Sequence, residues 1–410
     1  MSAPNKDEIY AAAQRAVLGT FFFIGVPVGM LVPRLAEIKE QVSAGDLAFG
    51  SAIALGGLGA VVGNYVGARF VHRYGSRPLA RIAIFLSLIA NVSNALAPDV
   101  PTLAFIAFFG GFSYSAANIA LNSQGVLVEQ HLKRSFLPKG HAYWAIGAMS
   151  FGFVSSFLAP YISPLTALII GICLSMVGFI YFTKELLPIE FDDRPHDDPT
   201  QLPRHESIPS STFRFLILIA VGQWLGTVAE FATGDWSSVL LRESFGIAIG
   251  PNGYGYAFFM MVLLVARLTA PKLIDKYSLP KVIRTEGLIG ATGFIIFLQL
   301  ANEFHTTNSQ LTLIFAVVAF GFVGLGVANM PAGYYSAAGR IPGLPSARGL
   351  MVAGLFTSAL SLTGRIGLAS VSQNISLVFA LTLTGFALLI ASVLSYLLDP
   401  TRSDANAIKR

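Results

Sequence analysis

Runs of apolar residues, each about 20 long, alternate with short polar stretches along almost the whole chain. A helix crosses the hydrocarbon core of a bilayer with about 20 residues, and a spanning backbone must satisfy its own hydrogen bonds. Strands of a membrane barrel would be about 10 residues long and would alternate in polarity. The pattern predicts an all-α membrane protein with twelve spanning helices, over residues 15–36, 46–70, 78–97, 101–129, 140–160, 164–183, 213–240, 251–275, 280–301, 308–338, 346–370 and 374–398.

A polar stretch rich in proline divides these helices into two sets of six. It runs from Lys184 to Thr212 and carries three basic and seven acidic side chains, among them Asp192 and Asp193. We therefore expect two six-helix bundles joined by a cytoplasmic linker. The predicted segments are an N-terminal tail 1–14, a bundle 15–183, the linker 184–212, a bundle 213–398 and a C-terminal tail 399–410.

Composition and charge agree with this topology. Hydrophobic residues make up 54% of the chain and charged residues 12%, whereas soluble domains are about 25% charged. Of the 27 Lys and Arg, 22 fall in tails and loops on the side of the N-terminus, and only Arg34, Lys39 and Arg242 fall on the other side. By the positive-inside rule both termini are cytoplasmic, and the net charge of +5 requires no nucleic acid partner. We expect a monomer surrounded by lipids in the inner membrane of a bacterium.

The two halves of the chain resemble each other. The segment after the predicted second helix matches one after the eighth at an offset of 203 residues, and the fourth helix matches the tenth at an offset of 211. Internal repeats of this kind are typical of transporters built from parallel six-helix halves. The corresponding pairs are Arg69 with Lys272, Arg73 with Lys276, and Asn118 with Asn329.

The loop between the second and third predicted helices resembles the signature loop of the major facilitator superfamily. Arg73 and Gly75 stand where that signature has a basic residue and a glycine, but Ala68 replaces a glycine and His72 replaces an acid. The second copy keeps its acid as Asp275. The resemblance implies the major facilitator fold, with two pseudo-symmetric bundles, and secondary active transport by alternating access. It also implies gating roles for Arg73 and Asp275.

Two further segments resemble a poorly characterised bacterial branch related to fucose-type sugar permeases. They are residues 118–129 and 230–237. This likeness implies a polar, sugar-like substrate carried together with protons.

The predicted fourth helix has a polar stripe. Tyr114, Asn118, Asn122 and Glu129 share one face at helical spacing. An amide at membrane depth must face protein or water, so Asn118 and Asn122 either line a substrate cavity or form hydrogen bonds between helices. The same two interpretations apply to Asn329.

Glu129 lies at the cytoplasmic end of this helix, near the start of the next. With His141 it predicts either a pH-sensitive inner gate or an ordinary interface pair, because histidine titrates near neutral pH. Trp144, three residues further on, either stacks on a ligand or anchors the helix.

The predicted seventh helix carries the candidate for proton coupling. Gln223, Thr227 and Glu230 share one face, with Trp224 beside them. An acid at mid-membrane costs roughly 3 kcal/mol and usually faces a cavity or a partner. Glu230 therefore predicts a proton-carrying carboxyl, or else a permanent ion pair.

Two arginines inside predicted helices are the possible partners of that carboxyl. Arg267 and Arg365 either pair with an acid or hold an anionic substrate. Asp235 and Trp236, near the outer end of the seventh helix, predict an outer gate or a helix cap.

The sequence leaves two other interpretations of the function open. An exporter of amphipathic compounds is favoured by the 32 Phe and the Met260–Met261 pair, and a membrane receptor without transport is the third interpretation. The sequence contains no phosphate-binding loop, metal-ligand cluster or nucleophile triad. We expect no enzymatic activity and no cofactor, with a small-molecule substrate and protons as partners.

Overall fold

The structure is a computed structural model that describes residues 6–133, 136–191, 208–341, 344 and 346–398. Every regular element in these ranges is a helix. The α-helices are α1 Lys6–Leu31, α2 Leu35–Gln41, α3 Asp46–Tyr74, α4 Ser76–Ser93, α5 Val100–Leu132, α6 Leu137–Leu158, α7 Pro164–Phe182, α8 Ser210–Val239, α9 Tyr254–Tyr277, α10 Leu279–Phe304, α11 Ser309–Val327, α12 Met330–Ala338, α13 Ser346–Asn374 and α14 Leu377–Leu394.

The prediction of an all-α membrane protein is confirmed. Within the described residues, eleven helical segments are long and apolar enough to cross a membrane. The 22-residue α6 lies outside that set and packs along α1.

Several boundaries differ from the prediction. Residues 6–14 of the expected N-terminal tail form the first turns of α1. Residues 192–207 of the expected linker and the tail 399–410 lie outside the described residues. The helix expected over 308–338 is interrupted at Ala328 and Asn329. Pro331 explains the break, because it cannot donate to the carbonyl four residues earlier and its ring clashes with that carbonyl.

Residues 1–194 and 247–257 form the first of two compact units. In its described part, α1 packs on α6 and α7, while α4 packs on α5 and α7. Buried apolar side chains such as Val17, Phe21 and Leu88 fill the interior. Residues 247–257, expected within the second bundle, belong to this unit, where the Tyr254 ring lies 6.3 Å from that of Phe153.

The contact between α3 and α5 depends on glycine. Gly59 and Gly63 lie so close to α5 that an added Cβ would collide with the Phe108 and Phe112 carbonyls. Gly57, on the other side of α3, would meet nothing within 4 Å. Small residues thus let two membrane helices approach closely, as expected for packing in lipid.

Gln124 joins three segments of the first unit by hydrogen bonds. Its side chain is fully buried on α5. Its Oε1 accepts from the Leu187 amide at 2.8 Å, and its Nε2 donates to the Leu187 carbonyl at 2.9 Å and to Ser76 Oγ at 2.7 Å. One amide therefore ties the chain that follows α7 to both α5 and α4.

Asp99 caps the opposite end of α5. Its Oδ1 accepts from the Thr102 amide at 2.9 Å. Hydrogen bonds from Thr102 hold the pKa of the Asp99 carboxyl below its usual value.

The second unit comprises residues 195–246 and 258–410. In its described part, α8 packs on α13 and α14, and α10 packs on α11 and α14. The short α12 packs mainly on α8. The interrupted helix α11–α12 therefore lies inside this unit, beside α8 and α10.

Candidate functional site

The first unit brings Tyr114, Asn118 and Trp144 together. Asn118 and Trp144 lie beside the Tyr114 side chain, which joins α5 to α6. The Asn118 Nδ2 is 3.5 Å from the Tyr114 carbonyl, which is long for a hydrogen bond. All three side chains are half-buried. The group thus retains hydrogen-bonding capacity next to an aromatic face.

Asn122 lies one turn further along α5 and is half-buried. Its side chain forms no hydrogen bond within the described part of the chain. Sequence reasoning overlooked Asn64 of α3, whose Oδ1 accepts from Ser115 Oγ at 2.6 Å. The polar stripe of α5 therefore both links helices and leaves one amide available.

Glu129 binds the start of α6. Its Oε2 accepts from the Phe136 and Leu137 amides at 2.7 and 3.1 Å, where a helix N-terminus favours negative charge. The ring of His141 lies 5.2 Å from that of Phe21. Both the pH-sensitive gate and the ordinary interface pair stay predictions.

The signature loop holds its basic residues in two different ways. Arg73 is exposed and lies 5.2 Å over the Tyr74 ring, and Asp275 is exposed as well. Arg77 and Arg81, which sequence reasoning did not select, donate to the Lys184 and Thr183 carbonyls after α7. Both contacts are favourable because a cation is stabilised near a helix C-terminus, here that of α7.

On α8, Gln223 and Trp224 carry hydrogen-bonding atoms without a partner. Gln223 is 1% exposed, and neither its Oε1 nor the Trp224 Nε1 has a hydrogen-bond partner among the described residues. The indole packs against Gly364 of α13. Thr227, by contrast, donates to the carbonyls of Gln223 and Trp224 on its own helix, both at 3.1 Å.

Glu230 is paired with Arg267. The carboxylate Oε1 lies 3.9 Å from Nη2 of Arg267, and the two side chains are 29% and 34% exposed. Arg267 also donates from Nε to the Ala328 carbonyl at 3.0 Å. That carbonyl belongs to the interruption between α11 and α12. One guanidinium thus connects the candidate coupling acid to the helix break.

A second acid–arginine pair lies about 7.5 Å further along α8, five residues at 1.5 Å each. Arg365 Nε is 3.4 Å from Asp235 Oδ2, and its guanidinium lies 4.4 Å from the centre of the Phe231 ring. Trp236 is 2% exposed and is buried within the second unit. Both arginines flagged in the sequence are therefore paired with acids of α8.

Asn329 is engaged inside the second unit. Its Nδ2 donates to Glu286 Oε2 at 2.8 Å. Glu286, on α10, is 8% exposed, and sequence reasoning missed it. The substrate role predicted for Asn329 must compete with this bond.

The chain is similar in sequence to known membrane transporters. The family model of the Major Facilitator Superfamily matches residues 17–337. The chain is 24% identical over 379 residues to the uncharacterized transporter y4wD of Sinorhizobium fredii, across 92% of this chain and 96% of that protein. It is also 24% identical over 361 residues to an uncharacterized MFS-type transporter of Yersinia pestis, across 87% and 88% of the two chains.

Solved structures share the fold. A D-xylose-proton symporter superposes with a TM-score of 0.70 at 14% identity, over 94% of this chain and 97% of that one. The nucleoside transporter NupG superposes with a TM-score of 0.64 at 14% identity, over 95% and 97%. With the family match across most of its length, this chain belongs to the Major Facilitator Superfamily and is a multi-pass membrane transporter.

Proposed function

We propose that this protein is a secondary active transporter that carries a small, neutral, polar solute across the bacterial inner membrane together with protons. The observation that carries the proposal is the pair of unpartnered polar atoms on α8, about two turns before the Glu230–Arg267 pair. Solute-binding and proton-binding groups would then share one helix.

Alternating access is supported by the repeated architecture. The order of packing in the first unit, α1 on α6 and α7 and α4 on α5 and α7, recurs in the second as α8 on α13 and α14 and α10 on α11 and α14. Parallel repeats of this kind are the basis of alternating access in transporters. We infer twelve spanning helices with both termini in the cytoplasm.

Proton coupling is supported by the looseness of the Glu230 pair. A separation of 3.9 Å is beyond hydrogen-bonding distance, and both side chains are about one third exposed. Proton binding would neutralise Glu230 while Arg267 keeps its bond to the Ala328 carbonyl. The carboxyl can therefore change charge while Arg267 keeps a hydrogen-bond acceptor.

The class of solute is inferred from the side chains that are available to bind it. Within the second unit, Gln223 provides an acceptor and Trp224 a donor and an aromatic face. The first unit separately carries hydrogen-bonding groups at Tyr114 and Asn118. Arg267 and Arg365 each face an acid of α8, which opposes their attraction for an anionic solute. Hydroxyl-rich rings such as sugars or nucleosides fit, and the two fold neighbours carry solutes of those kinds by their names.

The exporter interpretation has less support. Met260 is 2% exposed, and Phe297 stacks on Phe322 at 5.4 Å within the second unit. These residues pack helices together. An amphipathic solute therefore remains an outcome of the test.

The test of solute class is a thermal-shift screen of the purified protein. Neutral sugars and nucleosides would be compared with lipophilic cations, because a ligand that binds the folded state raises its stability. We expect a sugar or nucleoside to stabilise the protein and Asn118→Ala to abolish the shift. Asn374→Ala, at the exposed end of α13, is the matched control. Stabilisation by lipophilic cations alone would overturn the proposed solute.

The test of coupling uses proteoliposomes that contain a pH-sensitive dye and the solute found in the screen. We expect Glu230→Gln to abolish solute-driven proton movement but to retain exchange of labelled solute. Proton movement at the wild-type rate in Glu230→Gln would show that this carboxyl is not the coupling site.

A further inference from the structure

Glu286 is an acidic side chain in the membrane that the proposed function does not use. It lies on the buried face of α10, eight residues into a helix long and apolar enough to cross a membrane. Only 8% of it is exposed. A buried charge is stable when it is paired, and otherwise a carboxyl is favoured in its neutral form.

Among the described residues, the elements packed around α10 supply no cation to Glu286. Helices α11 and α14, the main neighbours of α10, contain no Asp, Glu, Lys, Arg, His, Tyr or Cys. The other two neighbours, α12 and residues 395–398, offer only tyrosines as titratable groups, namely Tyr334, Tyr335 and Tyr396. Tyr334 donates its hydroxyl to the Ala391 carbonyl at 2.7 Å.

The charged residues of α10 itself lie elsewhere. Lys281, Arg284 and Glu303 are all exposed. Within the described residues, no ion pair to Glu286 is formed. The contact that the carboxyl does make is the neutral amide of Asn329, which donates to Oε2 at 2.8 Å.

The position of that amide gives the site a link to conformation. Asn329 lies in the interruption between α11 and α12, where the backbone is not held by a continuous helix. A change in the geometry of the break would move the donor relative to the carboxyl. A carboxyl that loses its donor in a buried, cation-free site binds a proton instead.

We propose that Glu286 is a second proton-binding site of this transporter, which takes up a proton when the bond from Asn329 is weakened and releases it when that bond is restored. The proposal goes beyond coupling at Glu230 and does not depend on it. The two carboxyls approach the same helix break from different helices, Glu230 through Arg267 and Glu286 through Asn329.

The test is infrared difference spectroscopy of the purified full chain between acidic and neutral buffers. A carboxyl that becomes protonated contributes a carbonyl-stretch band, which a buried group places at higher wavenumber than a solvated one. We expect the high-wavenumber component to be lost in Glu286→Gln and kept in Glu230→Gln. Glu303→Gln, at the exposed end of the same helix, is the matched control and should remove only signal from a solvated carboxyl.

A difference spectrum of Glu286→Gln that superposes on that of the wild type would overturn the proposal, because Glu286 would then keep one protonation state. Should Glu286→Gln fail to give a monodisperse protein, Asn329→Ala replaces it, since this variant keeps the carboxyl and removes its donor. We expect the buried band to move to higher wavenumber in Asn329→Ala, and an unmoved band would refute the role of Glu286. Loss of the component in Glu230→Gln instead would assign it to Glu230 and equally overturn the proposal.

Discussion

Arg267 should matter more to the stability of the second unit than the acid with which it pairs. The guanidinium makes two contacts, an ion pair to Glu230 at 3.9 Å and a hydrogen bond from Nε to the Ala328 carbonyl at 3.0 Å. Glu230→Gln removes only the first contact, whereas Arg267→Met removes both. The two substitutions therefore separate the energy of the ion pair from that of the bond to the helix break.

The expected magnitudes follow from the geometry. Two unit charges 4 Å apart attract by about 4 kcal/mol at an effective dielectric constant of about 20. Both side chains are about one third exposed, so solvent screening reduces the net contribution to about 1 kcal/mol. A hydrogen bond from a charged donor contributes about 1.5–3 kcal/mol. We expect Glu230→Gln to lower the free energy of unfolding by about 1 kcal/mol and Arg267→Met by about 3 kcal/mol.

The assay is unfolding of the detergent-purified protein, followed by the fluorescence of its three tryptophans. Arg267→Lys should fall between the two variants, because it keeps the positive charge but lacks the planar fork that serves both partners. The double variant should show a coupling energy near 1 kcal/mol between the two positions. Equal destabilisation by Glu230→Gln and Arg267→Met would refute the reasoning, since the bond to Ala328 would then contribute nothing.

Three further predictions concern the first unit. Gly59→Ala should destabilise the first unit by about 1–3 kcal/mol, because the added methyl group collides with α5. Gly57→Ala meets open space and should be neutral or stabilising by up to about 1 kcal/mol. The melting temperatures of the two variants measure the difference. Gln124→Leu should cost about 2–3 kcal/mol through three lost hydrogen bonds, and the exposed Gln130→Leu should cost almost nothing in the same assay. The pKa of Asp99 is lower in the folded state than in the unfolded state, so its contribution to stability is present above the unfolded pKa and is lost as the pH falls through the folded pKa. Asp99→Ala should therefore lower the melting temperature at neutral pH. This difference from the wild type should disappear in strong acid.

Much of the fold could be predicted from the sequence because lipid imposes a simple rule on composition. A spanning helix needs a continuous apolar run, so the runs identify the helices without knowledge of tertiary contacts. The same rule made Glu230, Arg267 and Arg365 conspicuous as charges within such runs. Their partners could be restricted to a few acids but not assigned, since the pairing depends on the rotation of α8, α9 and α13, which periodicity alone does not fix.

The break at Ala328–Asn329 shows where this kind of reasoning failed. The apolar run from 308 to 338 predicts one continuous helix, and a proline such as Pro331 in a spanning helix is often accommodated by its neighbours. With the helix taken as continuous, the sequence could not decide between a substrate-facing Asn329 and one that bonds to another helix, as it does to Glu286.

Glu286 was missed for a related reason. It lies near the start of its helix, close to Lys281 and Arg284, where an acid looks like part of a charged interface. The structure separates it from them, since both basic side chains are exposed while Glu286 is buried against α11, α12 and α14. Its amide partner, Asn329, lies in the interruption between α11 and α12, which the sequence did not predict. The break in one helix and the buried acid in the preceding helix are thus joined by one hydrogen bond, because a buried carboxyl requires a donor and a broken helix exposes polar groups.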